Sequence, residues 1–219
     1  MLASARLKDA GFAHGFSLRD AAIEDVTQAV GVPKDRLHQA KQVHGRAIVV
    51  ANGDPVALAK IEADGLVAEP KSGHAVAVRV ADCVPVLLAD PKSGRVAAVH
   101  AGWRGVEARI LQAAIETMKE KDLVAAIGPC IGPCCFEVGA DVAEKIADAS
   151  ASEVVVRRAG EKAFVELRRA VRTQLRALGL DDANIEDVPG CTRCEPARFH
   201  SYRRDGKDSG RLLGIIVAR

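Results

Sequence analysis

The chain has 219 residues, of which 48% are hydrophobic and 27% charged, and 31 Lys+Arg against 29 Asp+Glu leave a formal net charge of +2. That length buries a sizeable core and that apolar share offsets chain entropy, which excludes a disordered state. The near-balanced charge gives no electrostatic reason for duplex nucleic acid or an anionic membrane as partner, and five Phe, one Trp and one Tyr are too few for a base-stacking platform.

Met1 to Asp20 has no long apolar stretch followed by a small-residue cleavage pattern. The longest apolar run, Ala75 to Ala89, is interrupted by Arg79, Asp82 and Pro85 and falls short of the ~18 residues of a membrane span. A cytoplasmic chain is the expectation, with its six cysteines as thiols rather than disulfides. There is no repeat, low-complexity tract or linker, so one domain is expected over 1–219. Runs at Ala47–Ala51, Leu66–Ala68, Ala75–Val80, Val84–Ala89, Val96–His100, Leu123–Ile127, Val154–Val156 and Leu212–Val217 have strand length and end at Gly, Pro or Asp. Several are apolar on both faces, as buried strands are.

Helical spacing places Ile110, Leu111, Ala114, Ile115 and Met118 on one stripe, predicting a helix from Val106 to Lys119. A shorter helix is predicted over Ala140–Ala147, and a long one from Glu161 to Leu178, where Phe164, Leu167, Val171, Leu175 and Leu178 recur. Arg168, Arg169, Arg172 and Arg176 fill its other face, which reads as a solvated surface, and Gly179 would end it. Strands alternating with helices define an α/β (α+β) class.

The densest segment for chemistry runs from Val78 to Gly105. Asp82-Cys83 stands where one apolar run ends, and His100 ends another. Gly102 and Gly105 bracket Trp103-Arg104 at the start of a helix. Strand ends are where α/β folds place ligands, and a Gly-rich turn into a helix presents free N–H groups to an anion. Cys83 and His100 are therefore expected at one mouth. A His beside a Cys can generate a thiolate nucleophile, or the two can ligate zinc. A buried thiol and a hydrogen-bonded core histidine account for the pair more simply on spacing alone. His44, in the turn Gln42-Val43-His44-Gly45, would complete a His/Cys/His set with one position open. Cys130, Cys134, Cys135, Cys191 and Cys194 could supply a second, structural zinc site, with Cys191–Cys194 as a knuckle and Cys130-x-x-x-Cys134 as its other half. The turn Ser201-Tyr202-Arg203-Arg204-Asp205-Gly206 carries arginines suited to phosphate, or is a surface tip.

The stretches HGFSLR (14–19), QVHG (42–45), ADGLVA (63–68), ADCVPVLLAD (81–90), AAVHAGWRG (97–105), AIGPCIGPCCFEVG (126–139) and SYRRDGKDSGR (201–211) together resemble the YfiH-type laccase-domain family, also called multicopper polyphenol oxidases. They run in the family's order across nearly the whole chain. The resemblance implies a four-layer α/β/β/α sandwich with mixed sheets and one zinc held by His44, Cys83 and His100. It implies phosphorolysis of adenosine, inosine and methylthioadenosine and deamination of adenosine, with a purine nucleoside and phosphate as partners. An amidase acting on peptidoglycan precursors is the alternative within the family. The chain departs from the family between residues 20 and 41, where a Gly-Gly-Val-Ser loop is replaced by what reads as one helix and a turn, and at Cys130, where the motif often has Ser.

Deamination fits the residues, since zinc lowers the pKa of bound water toward ~7. Asp82, beside Cys83 and His100, is the candidate acid or base. Gln42, Arg104, Arg203 and Arg204 are the candidates for substrate and phosphate contacts. A metal-free hydrolase using Cys83 as nucleophile and His100 as base is a further alternative. A copper polyphenol oxidase fits poorly, because His14, His38, His74 and His200 are scattered, although a His/Cys/His set would take Cu²⁺ in vitro. A monomer is favoured.

Overall fold

The computed structural model describes all residues from Met1 to Arg219. The first half of the chain forms α1 (Ala5–Asp9), β1 (His14–Phe16), α2 (Ile23–Ala29), β2 (Leu37–His38), β3 (Ile48–Val50), α3 (Pro55–Leu58), β4 (Gly65–Ala68), β5 (Ala75–Val80), β6 (Val84–Ala89) and β7 (Val96–Ala101). The second half forms α4 (Trp103–Glu107), α5 (Ile110–Met118), β8 (Val124–Ile127), β9 (Glu137–Gly139), α6 (Ala140–Ala149), β10 (Val155–Ala159), β11 (Lys162–Val165), α7 (Leu167–Ala177), β12 (Ile185–Asp187), α8 (Tyr202–Asp205) and β13 (Leu212–Val217).

Three sheets result: six strands in the order β12-β8-β6-β7-β4-β3, four in the order β1-β13-β5-β2, and three in the order β10-β11-β9. The six-stranded sheet is mixed, with β3 parallel to β4 and β12 parallel to β8 while β4, β6, β7 and β8 pair antiparallel. Its central strands β4, β6 and β8, and β7 but for His100, are apolar throughout because both faces are covered. Val84, Val86, Leu88, Ala97 and Val99 join one core with Ile110, Leu111 and Met118 of α5 and Val171 and Leu175 of α7. The alternate residues Leu87, Ala89, Val96 and Ala98 join a second core with Val76, Val78 and Ile216 of the four-stranded sheet. Strand periodicity of two thus sends each β-strand into two cores at once. The outer face of the four-stranded sheet, through Ala75, Ala77, Leu213 and Ile215, packs on Val26 and Val30 at α2. A mixed α/β fold agrees with the class expected.

The helical stretch expected over Val106–Lys119 is broken: α4 ends and α5 begins at Arg109, whose backbone is left-handed at φ 59°. The helix expected from Glu161 begins only at Leu167, because Lys162–Val165 instead pairs with β10 and β9 as a strand. Phe164 and Leu167 satisfy helical spacing, yet Ala163 and Val165 are buried in strand alternation. The strand expected at Val154–Val156 lies at Val155–Ala159, and the helix over Ala140–Ala147 extends to Ala149. Residues 20–41 hold α2, a single 3₁₀ turn at Lys34–Arg36 and the short β2, close to the helix and turn expected. The arginine face of α7 is not simply solvated. Arg168 donates to the carbonyls of Gly128 and Gly190, and Arg172 pairs with Asp182 and Asp187. Gly179, at φ 97°, follows the helix as expected. No helix is long and apolar enough to cross a membrane.

Candidate metal centre

Strand register assembles the site. In the β6–β7 pair, Val84 faces Ala101 and Pro85 faces His100, so Cys83, one residue before β6, falls at the end of β7 that carries His100. In the β4–β7 pair, Gly65 faces Val99, which sets Asp64 against His100, and the His100 amide donates to the Asp64 carbonyl at 2.7 Å. The turn of residues 42–45 closes over this end, with His44 in the left-handed region at φ 62°. The ligand atoms of His44, Cys83 and His100 all lie within 4.8 Å of one another. The two imidazoles meet edge to face, with centroids 4.9 Å apart.

Asp64 organises the group. Its carboxylate is fully buried and accepts the amides of Val43 (3.1 Å), His44 (2.9 Å) and Gly45 (2.7 Å) and Nδ1 of His100 (2.8 Å). Burial opposes its charge. The His100 ring and the Gly45 and Val43 amides outweigh that and hold Asp64 below the usual carboxylate range. With Nδ1 engaged, His100 offers Nε2 to the site, the carboxylate–histidine arrangement typical of metal ligands. Burial opposes ionisation of Cys83 as well, but contacts from His100 and His44 bring its thiol well below the ordinary range. His100 is driven upward against its own burial by Asp64 and Cys83. A cradle surrounds the three side chains: a Cβ on Gly102 would sit 3.0 Å from Cys83 Sγ and 3.3 Å from His44 Cδ2. Only glycine leaves this space clear. Two imidazoles and a thiol drawn toward thiolate, converging on one point, are a donor set that could hold a metal ion and leave a position open.

The three ligands border an open pocket of about 700 Å³ that also takes in Gln42, Asp82, Arg203 and three residues unforeseen in the sequence: Arg79, Phe136 and Arg211. Asp82, at φ 88°, accepts the Thr192 hydroxyl (2.6 Å) on one oxygen and the Arg203 amide (2.6 Å) on the other. Gln42 is clamped on strand β5, donating to the Arg79 carbonyl (2.8 Å) and accepting its amide (2.7 Å). Arg203 spans the wall, donating to the Glu137 carbonyl (2.8 Å) with its guanidinium 5.7 Å from the Phe136 ring centre. Two of the candidates lie outside the pocket lining. Arg104 is exposed and stacks on Trp103, 4.5 Å from its centroid. Arg204 is committed to Asp205 and to the carbonyls of Thr192 and Phe199. Asp64 is a further site residue that spacing missed; it stands in the stretch ADGLVA (63–68), to which the sequence reading assigned no chemistry.

These strand ends, with two histidines and a cysteine backed by a buried carboxylate, define a metal-ligating α/β protein. The chain belongs to the family described as multi-copper polyphenol oxidoreductase laccase, whose model matches residues 20–219. It is 39% identical over 204 residues to an adenosine deaminase, RL5, from an unknown prokaryotic organism, covering 87% of this chain and 78% of that protein. It is 35% identical over 180 residues to the purine nucleoside phosphorylase YfiH of Escherichia coli K12, covering 80% and 71%. Among solved structures, YlmD of Geobacillus stearothermophilus superposes with a TM-score of 0.87 at 28% identity, covering 99% of this chain and 94% of that one.

Proposed function

We propose that this chain is a zinc-dependent purine nucleoside enzyme, catalysing phosphorolysis of adenosine, inosine and methylthioadenosine and deamination of adenosine. The observation that carries the proposal is the convergence of His44, Cys83 and His100, backed by Asp64, on a pocket flanked by arginines. Relatives named as a purine nucleoside phosphorylase and an adenosine deaminase point to the substrate.

A zinc held by His44, Cys83 and His100 supplies Lewis acidity and a water of lowered pKa. The chain's own residues do the rest. Asp64 fixes the tautomer and ring plane of His100. Arg79, Arg203 and Arg211 bring positive charge to the pocket, where phosphate or ribose oxygens are held. Ile131 and Phe136 offer an apolar wall for the purine ring. Asp82 is the carboxylate of the lining. A carboxylate has about four acceptor positions. Two of Asp82's are taken by Thr192 and Arg203, leaving it able to take a proton from, or return one to, the leaving group.

The copper oxidase reading needs further histidine ligands. The only other convergent group of His, Cys or carboxylate ligands is made of cysteines alone. His14 instead hydrogen-bonds Ser4 and Phe12, and His38 and His74 stack with each other 4.4 Å apart. A metal-free cysteine hydrolase draws support from the lowered Cys83 thiol, but the second imidazole at the same sulfur favours a ligand set.

Metal content and products, measured on the wild type and Cys83→Ala, test the proposal. Adenosine should yield adenine only with phosphate and inosine without it, and Cys83→Ala should lose both products and one zinc. Zinc without either product would remove the nucleoside as substrate and turn the search to the peptidoglycan amidase. A zinc-free wild type whose Cys83 alkylates readily would favour the cysteine hydrolase.

A further inference from the structure

Behind the pocket, a second group of ligands converges that the proposed reaction does not use. The loop between β8 and β9 supplies Cys134 and Cys135, and the loop after β12 supplies Cys191 and Cys194. Their four sulfurs all lie within 4.8 Å of one another. Cys134 Sγ is 3.8 Å from Cys191 Sγ and 3.6 Å from Cys194 Sγ, and Cys135 Sγ is 3.2 Å from Cys194 Sγ. A tetrahedron of thiolates around zinc, with Zn–S of ~2.3 Å, has edges of ~3.8 Å. All six cysteines are free thiols.

Three features mark this as a built site. First, the N–H group of Gly132 donates to Cys191 Sγ at 3.2 Å, as amides do toward a metal-bound thiolate. Second, the Cys191 amide donates to Glu195 Oε1 at 2.8 Å, which fixes the turn that carries Cys191 and Cys194. Third, Gly132 is packed against the cluster: a Cβ there would stand 3.3 Å from both Cys134 Sγ and Cys191 Sγ. The expected partner Cys130 is excluded. Its sulfur is not in the converging group, and its backbone pairs with Cys191 through a bridge. Adjacent Cys134 and Cys135 replace the Cys130-x-x-x-Cys134 half that spacing suggested.

We propose that Cys134, Cys135, Cys191 and Cys194 form a tetrathiolate site for a structural zinc ion, separate from the His44/Cys83/His100 centre. Four-sulfur tetrahedral geometry selects soft cations such as zinc, and a closed set of four protein ligands leaves no position for substrate. Binding releases the thiol protons and ties two loops that are otherwise joined by the single Cys130–Cys191 bridge. The tie reaches the pocket, since Thr192, inside the knuckle, donates to Asp82 and its carbonyl accepts from Arg204.

Full-length protein from zinc-replete cells, purified under reductant, tests the site by metal content in three forms. Wild type should hold about two zinc ions per chain, Cys83→Ala about one, and Cys83→Ala/Cys194→Ser none. Cys194 is exposed, so its replacement leaves the core intact, and Cys83→Ala/Cys130→Ser should keep the zinc. A thiol-blocking mercurial adds a readout independent of folding: in Cys83→Ala it should release zinc in step with modification of these thiols. Zinc-free Cys83→Ala protein, or rapid labelling of native Cys134 and Cys194 by a disulfide reagent, would overturn the proposal whether or not nucleosides are turned over.

Discussion

Asp64 is the residue on which the candidate metal centre depends, because one buried carboxylate serves three amides of the 42–45 turn and the His100 ring. Asp64→Asn replaces an acceptor oxygen with a donor facing other donors. Metal affinity should fall roughly 10–100-fold, the usual cost of losing such a partner, as read by chelator competition. Gly102→Ala is a cleaner probe, since φ is −72° and the backbone accepts alanine while the added carbon presses on Cys83 and His44. The expected outcome is an unchanged unfolding transition with weakened metal binding, checked by circular dichroism beside the same competition. The convergence of His44, Cys83 and His100 was legible because their motifs lie at strand ends and in a turn. Asp64 was not, because its partner His100 is set by the β4–β7 register rather than by anything adjacent in the chain.

Among the elements, α1 is short and hangs on a carboxylate far away in sequence. Glu186 of β12 accepts the amides of Ala5 (3.1 Å) and Arg6 (2.7 Å) and the Ser4 hydroxyl (2.7 Å). Burial works against its charge, but the Arg6 amide and Ser4 hydroxyl prevail and hold it below its ordinary value of 4.5. A folded-state pKa depressed in this way contributes stability in full above the unfolded value, and loses it as pH falls through the folded one. Amides of Arg6 and Leu7 should therefore lose exchange protection below about pH 4.5 while central strands keep theirs. Glu186→Gln should remove that pH dependence and cost about 1 kcal/mol near neutrality, read by denaturant unfolding. The long central strands were visible in the sequence as apolar runs because two cores claim their two faces. Of the strands of two or three residues only β3, inside the run Ala47–Ala51, was visible, since β1, β2, β9 and β12 are too short to show a period. The segment of β11 reads as helix because Phe164 and Leu167 stand one helical step apart, and only its pairing with β9 and β10 makes it a strand, with Ala163 and Val165 buried.

At the scale of the whole molecule, stability and metal chemistry are largely separate. The principal cores gather 30 and 20 buried residues without drawing on His44, Cys83 or His100. Stripping metal with a strong chelator should leave the far-UV spectrum and a cooperative transition in place, with a lowered Tm. Collapse to an unfolded chain would show instead that zinc carries the fold. The left-handed residues outside glycine divide along the same line. Arg109, Lys119 and Lys71 have φ between 57° and 59° away from the pocket, whereas His44 and Asp82 have φ of 62° and 88° inside it. Each such conformation costs about 1–2 kcal/mol for an ordinary side chain. Glycine's greater chain entropy returns about 0.5–1 of it. Arg109→Gly should accordingly gain up to about 1 kcal/mol with the metal site unaffected, measured by urea titration. A library sorted blindly for heat resistance would accept glycine at all five positions and report the five changes as equivalent improvements. Two of them would discard the chemistry, so directed evolution of this scaffold has to screen for bound metal at every round.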